Sequence, residues 1–167
     1  MRLRKLIALP VLSAALCFST LALAKEEKKE APSRLPWIVN CASNGANVNC
    51  VATQQLFLQK TRQLLLGITV RVPPKSRTGV MMVQLPHGLH LPAGITLEVD
   101  EGGEVKQAIQ TCNVQGCFVG MTIETGLLKK MQTGKAISIT FKNQNKKDVK
   151  IGVPLKGFAE AYQKLKS

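Results

Sequence analysis

Apolar residues at every second position, in short runs closed by turn residues, dominate this chain after residue 67 and restrict it to a β architecture. Ile68, Val70 and Val72 alternate with Thr69 and Arg71 until Pro73-Pro74 stops the run. Ile95, Leu97 and Val99 alternate with Thr96, Glu98 and Asp100. Glu101-Gly102-Gly103-Glu104 then supplies a tight turn, and Val105 to Thr111 returns as the second arm of a hairpin. Val119, Met121 and Ile123 alternate in the same way, as do Ile137, Ile139 and Phe141. The turn Asn143-Gln144-Asn145-Lys146 joins this last run to Val149, Ile151 and Val153. A period of two is the pleat of a strand with one face buried. Val80 to Leu85 departs from it: only Gln84 is polar, which predicts a strand buried on both faces.

Two short helices interrupt the strands. Thr125 is placed to cap a turn carrying Leu127, Leu128 and Met131, with Gly134 just beyond its end. Near the C-terminus Phe158, Tyr162 and Leu165 fall on one helical face, away from Glu160, Gln163 and Lys164. Six or more short strands with regular turns and one or two short helices predict an all-β fold, a β-sandwich.

The N-terminus carries an address. Arg2, Arg4 and Lys5 precede an uncharged apolar run from Leu6 to Leu23, which closes on Ala22-Leu23-Ala24 before the polar stretch Lys25 to Glu30. Basic segment, apolar segment and small-residue site together read as a cleaved secretory signal peptide at residues 1–24. The apolar run is just long enough to serve instead as an uncleaved anchor. Leu16 is too large to precede a lipid-bearing cysteine at Cys17. Residues 25–35 read as a charged, flexible tether and 36–167 as one β-sandwich domain. The expected location is the periplasm or cell envelope.

Export changes the meaning of the cysteines. Cys41, Cys50, Cys112 and Cys117 remain after cleavage, an even number in an oxidising compartment, and read as two structural disulfides. Four cysteines allow three pairings. The simplest is local, Cys41 with Cys50 and Cys112 with Cys117, each pair flanking a short polar stretch suited to a turn. The spacings match neither a thioredoxin-like redox pair nor a zinc site. No cofactor is expected.

Charge narrows the partners. The chain has 23 Lys and Arg against 10 Asp and Glu, a net +13, and removing the three basic residues of the signal leaves +10. Such a charge attracts polyanions. Export and the presence of one Trp and one Tyr, too few for base-stacking platforms, argue against nucleic acid. Anionic lipid or acidic glycan fits better. Lys129, Lys130 and Lys135 around the first helix, with Lys142, Lys146, Lys147 and Lys150 on the last hairpin, are the anion-binding candidates. The same lysines would equally protect exposed strand edges.

Catalysis has little raw material. His87 and His90 are the only histidines and lie in a Pro- and Gly-marked loop, so they read as loop residues rather than metal ligands. Neither a nucleophile elbow nor a phosphate-cradling loop is present. Carboxylates are few and lie mostly in the tether and the Asp100–Glu104 turn, leaving Glu124 alone near a strand end. The expectation is a non-enzymatic binding protein. An enzyme with an unrecognised site is the rival, and an apolar pocket lined by convergent polar groups would revive it.

One constellation is more specific. Cys112-x-x-x-Gly116-Cys117 is followed by an alternating strand, a short leucine helix, Thr133-Gly134-Lys135, a hairpin and Leu155-Lys156-Gly157-Phe158-Ala159-Glu160-Ala161. Upstream stand Trp37-x-x-x-Cys41 with Cys50, and Leu91, Pro92, Gly94 and Val99. This order, from about Trp37 to Leu165, resembles the invasion-associated locus B family of exported bacterial proteins. The resemblance implies an immunoglobulin-like β-sandwich with structural disulfides in the periplasm or envelope, and a link to host-cell invasion through an unidentified envelope or host component. It brings no catalytic site. Within it, Gly116 is expected to permit a turn that a side chain would block, and Gly157 to turn the chain so that Phe158 plugs one end of the sandwich.

Overall fold

The computed structural model describes residues 33–34, 36–43, 45, 48–74, 76 and 78–166. The expected signal peptide, and most of the expected tether, lie outside the described residues. The described residues form eleven strands and two α-helices: β1 (Ser33–Arg34), β2 (Ile38–Ser43), β3 (Val48–Phe57), β4 (Leu64–Arg71), β5 (Val80–Leu85), β6 (Ile95–Val99), β7 (Glu104–Gln107), β8 (Thr111–Asn113), β9 (Gly116–Thr122), α1 (Thr125–Thr133), β10 (Ala136–Lys142), β11 (Asp148–Pro154) and α2 (Phe158–Lys164).

These build two antiparallel sheets, the sandwich expected from the sequence. The large sheet runs β1-β3-β4-β5-β9-β8, with β2 also paired to β3; the small sheet runs β11-β10-β6-β7. Ser33 and Arg34, read as tether, pair with Phe57 and Leu56 of β3, so the sheet reaches back into that segment. Inward residues of both sheets share one core: Ala52, Leu66, Ile68, Val70, Val83 and Val119 from the large, Leu97, Ile137, Ile139 and Val153 from the small, all fully buried. This is what the period-two pattern dictates, since alternate side chains leave the sheet on opposite sides.

The second arm of the first hairpin departs from expectation. Val105 to Thr111 does not form one strand. β7 ends at Gln107, paired with β6, and β8 begins at Thr111 in the other sheet, paired with β9. The chain changes sheets between them. Gly94 makes room there: at φ +62° it lies so close to the Gln107 carbonyl that a Cβ would come within 2.4 Å of the oxygen. The first helix is capped at Glu124 rather than Thr125, which is its first residue.

One end of the sandwich is closed by aromatic rings. Gly157 adopts φ +85° at the start of α2, and Phe158 turns inward to complete burial. Trp37 meets Phe158 edge-on at 5.0 Å and donates from Nε1 to the Pro154 carbonyl at 3.1 Å. Tyr162 packs behind Phe158 at 5.8 Å and is also fully buried. Its hydroxyl lies against Gly79, where a Cβ would stand 2.8 Å from it. Burial pushes the Tyr162 hydroxyl pKa above its ordinary value of 10.0.

Candidate functional site

The four cysteines pair locally. Cys41–Cys50 bridges β2 and β3, and Cys112–Cys117 bridges β8 and β9, each joining directly opposed residues of neighbouring strands. They sit at the two lateral margins of the large sheet. Next to the second, Gly116 takes φ +138°, and a Cβ there would come within 2.3 Å of the Leu85 carbonyl oxygen, the blocked turn expected of it. Beyond β8, Gln110 continues the margin with its side chain, accepting from the Gly120 N–H at 2.9 Å and donating to the Gly120 carbonyl at 2.8 Å.

The seven lysines do not converge. Lys129, Lys130 and Lys135 stand where α1 leads into β10, and Lys142, Lys146, Lys147 and Lys150 lie along and beyond the other end of that strand. β10 is seven residues long, which separates its ends by roughly 20 Å. Three of them are engaged within the fold. Lys130 donates to the Gly102 carbonyl in the β6–β7 turn. Lys142 pairs with Asp148 at 2.8 Å and Lys150 with Glu98 at 2.9 Å. The hydrogen bond to Glu98, with that residue's charge, raises the Lys150 pKa above its ordinary 10.5. His87 bonds the Asn113 carbonyl at 2.7 Å, tying the loop after β5 to the β8 turn, and His90 donates its backbone N–H to the Lys142 carbonyl.

The outer face of the large sheet is built differently. Strand register places Asn40, Val51, Arg71, Val80 and Thr122 in one row across β2, β3, β4, β5 and β9. Ile38, Thr53, Thr69, Met82 and Gly120 form the next row, and Gln55, Gly67, Gln84 and Phe118 the one after. Arg71 is the single charged residue of these rows. Ile38 and Met82 are each 45% exposed. An open groove of about 620 Å³ lies on this face, lined by Val51, Thr69, Arg71, Val80, Met81, Met82, Gly120, Met121 and Thr122.

This corrects one sequence reading. Val80 to Leu85 (β5) was expected to be buried on both faces, and its inward residues Met81, Val83 and Leu85 are buried. Of its outward residues, Val80 is half-buried and Met82 exposed, and both help to line the groove. Arg71 was noted only as the polar partner in an alternating strand, and its exposure at the end of β4 is what sets it at the groove. Among the described residues it makes no ion pair. Among the described residues no carboxylate, imidazole or thiol lines the groove. Apolar contact, two hydroxyls and one guanidinium equip it to hold a ligand.

Comparison with known proteins gives consistent results. The sequence model of a family described as "Invasion associated locus B (IalB) protein" matches residues 37–166. An invasion protein B homolog of Brucella abortus (strain 2308) is 26% identical over 133 residues, covering 78% of this chain and 76% of its own. Invasion protein B of Bartonella bacilliformis is 24% identical over 185 residues, covering 99% and 98%. The crystal structure of invasion associated protein b from Bartonella henselae superposes with a TM-score of 0.70 at 20% identity, covering 77% of this chain and 89% of that one. That likeness extends the agreement from sequence to fold.

Proposed function

We propose that this chain, which belongs to the invasion-associated locus B family, is exported to the periplasm or cell envelope and acts there by binding rather than by catalysis. The observation that carries the reading is the outer face of the large sheet. It is uncharged from β2 to β9 except at Arg71, it exposes Met82 and Ile38, and it holds an open groove. Charged residues are depleted and methionines enriched where proteins meet partners. The two cross-strand disulfides, suited to an oxidising compartment, flank this face and tie its marginal strands together.

The relatives named invasion protein B support a part in invasion; the partner we propose is an envelope or host component. Binding through the large sheet is tested by site-directed photo-crosslinking in intact cells. A photoreactive side chain at position Met82 is expected to trap a partner that the same group at Thr140, on the outer face of the small sheet, does not. Equal capture at both positions, or none at Met82, would defeat the reading. Fractionation of those cells checks the address, and recovery of the uncut chain in the cytoplasm would overturn it.

A further inference from the structure

We infer that the groove on the large sheet binds a single alkyl chain ending in a carboxylate. This rests on the preceding reading of that face as the binding surface, and adds to it the ligand's chemistry. The groove crosses β3, β4, β5 and β9, three inter-strand spacings or about 14 Å. Val51, Val80 and Met82 give it an apolar lining, and at Gly120 the Gln110 amide stands beside it, 3.0 Å from where a Cβ would be. Its volume of about 620 Å³ falls within the range of small-molecule sites. An alkyl chain laid along it removes its own methylenes and the Met82 side chain from water together, and Met adapts its shape to such a guest.

Arg71 fixes the polar end. It is exposed at the end of its strand, and it has no ion-pair partner among the described residues. A guanidinium presents a planar fork that matches one carboxylate with two parallel hydrogen bonds. A lone fork neutralises one negative charge, which suits a monoanion better than a phosphomonoester. Thr69, two residues before Arg71 on β4, offers a further hydroxyl donor beside it, and Thr122 lines the groove two strands away on β9. The distribution of charge sharpens the match. The chain is strongly basic overall, and among the described residues Arg71 is the one cation lining this groove, so the field draws an anion in and Arg71 sets where its head group rests.

The test is titration calorimetry on the purified protein with its disulfides intact, using laurate below its micellar concentration. Dodecyltrimethylammonium, dodecyl maltoside and acetate are the comparison probes. Laurate should bind best, acetate weakly if at all, and affinity should climb up to about fourfold per methylene from octanoate to laurate. Arg71→Glu should weaken laurate at least tenfold without changing the thermal midpoint, and Arg71→Lys should restore part of the loss. Met82→Glu should weaken it as well. Lys146→Glu makes the same change in net charge at the distant hairpin and should leave affinity within twofold.

Equal binding of all three dodecyl head groups would overturn the assignment of Arg71. Equal losses in Arg71→Glu and Lys146→Glu would replace the site with diffuse charge and overturn it also. If laurate fails to bind while crosslinks at position Met82 persist, the ligand class is wrong and the binding face stands; if both fail, both readings fall.

Discussion

The two outer faces of the sandwich are made from the same strand pattern and carry opposite surfaces. On the small sheet, Lys150 pairs with Glu98 across β11 and β6, and Lys142 with Asp148 across the hairpin, and Glu104 and Lys106 of β7 add further outward charges of both signs. On the large sheet the outward positions hold Val51, Val80, Met82, Phe118 and two glycines, with one charge, Arg71, that has no ion-pair partner among the described residues. Ion pairs on an exposed sheet contribute little to stability, but they keep it solvated and discourage pairing with other chains. A face that omits them gives up that protection. The contrast separates a surface built to be left alone from one built to be covered. The disulfides follow the same division: both lie in the large sheet, and the small sheet has none.

The comparison breaks first if the sheets do not share a core. Phe158 sits at the closed end, with Trp37 and Tyr162 against it, and both sheets contribute to the cluster around it. Phe158→Ala should cost about 3–5 kcal/mol and lower both Trp37 emission and the β-sheet signal in one transition. A melt in which Trp37 responds early while the sheet signal keeps its parental midpoint would show the plug serving one layer only. The next effect belongs to the large sheet alone. Replacing Cys41 and Cys50 together with Ala, or Cys112 and Cys117, should cost about 2–3 kcal/mol each in the chain-entropy model. The bridges lie at opposite margins, so the two losses should add. Losses well short of additive would mean the margins are coupled through the sheet.

Tyr162 gives a probe of the shared end through pH. Burial raises its pKa above 10.0, so in the folded protein the hydroxyl keeps its proton where the unfolded chain has begun to lose it. Between those two values the folded state binds more protons, and stability must fall as pH rises. It is the chain's only tyrosine, so phenolate absorbance reports on it alone. That absorbance is expected to appear above pH 10 together with loss of structure, and the Tyr162→Phe variant should hold its stability further into that range. Phenolate appearing at pH 10 with the fold intact would contradict the burial.

How much of this was legible in the sequence depended on whether one residue type could report on both of its neighbours. Strands with one wet face declare themselves: Ile137, Ile139 and Phe141 opposite Val149, Ile151 and Val153 lie in the small sheet as the alternation required. β3 did not, because its inward positions include Ala52 and the buried Gln54, which interrupt the apolar beat over the longest strand of the fold. The change of sheet between Gln107 and Thr111 was hidden because neither end carries a turn signal, and the space for it comes from Gly94, distant in sequence. The site was hidden by a related ambiguity. A run such as Val80 to Leu85 is apolar on both sides whether the second side meets a helix layer or an absent partner. Lysine clusters are conspicuous in sequence but here lie at opposite ends of one strand, whereas Arg71 becomes notable only once β3 and β5 place Val51 and Val80 beside it and β9 sets Thr122 beyond Val80.

The smallest expected effects on stability test the comparison most directly, because the two faces should differ in what they do and not in what they hold together. Met82 is 45% exposed and Lys150 more so, and substitutions at such positions usually leave stability nearly unchanged. Met82→Lys and Lys150→Met should therefore both melt with the parent near neutral pH. The Lys150–Glu98 pair raises the lysine's pKa, so what it contributes is present below 10.5 and disappears as pH rises through the folded value. Only above that range should the parent and Lys150→Met lose any remaining difference. Their behaviour towards other molecules should diverge. Met82→Lys adds a second charge to the face that carries Arg71 and should abolish capture by a photoreactive group at Ile38 on the same face, while Lys150→Met adds an apolar group to the charged face and should leave that capture intact. If Lys150→Met instead matched Met82→Lys in loss of capture, binding would depend on the ion-paired face, and the division of labour between the two sheets would be reversed.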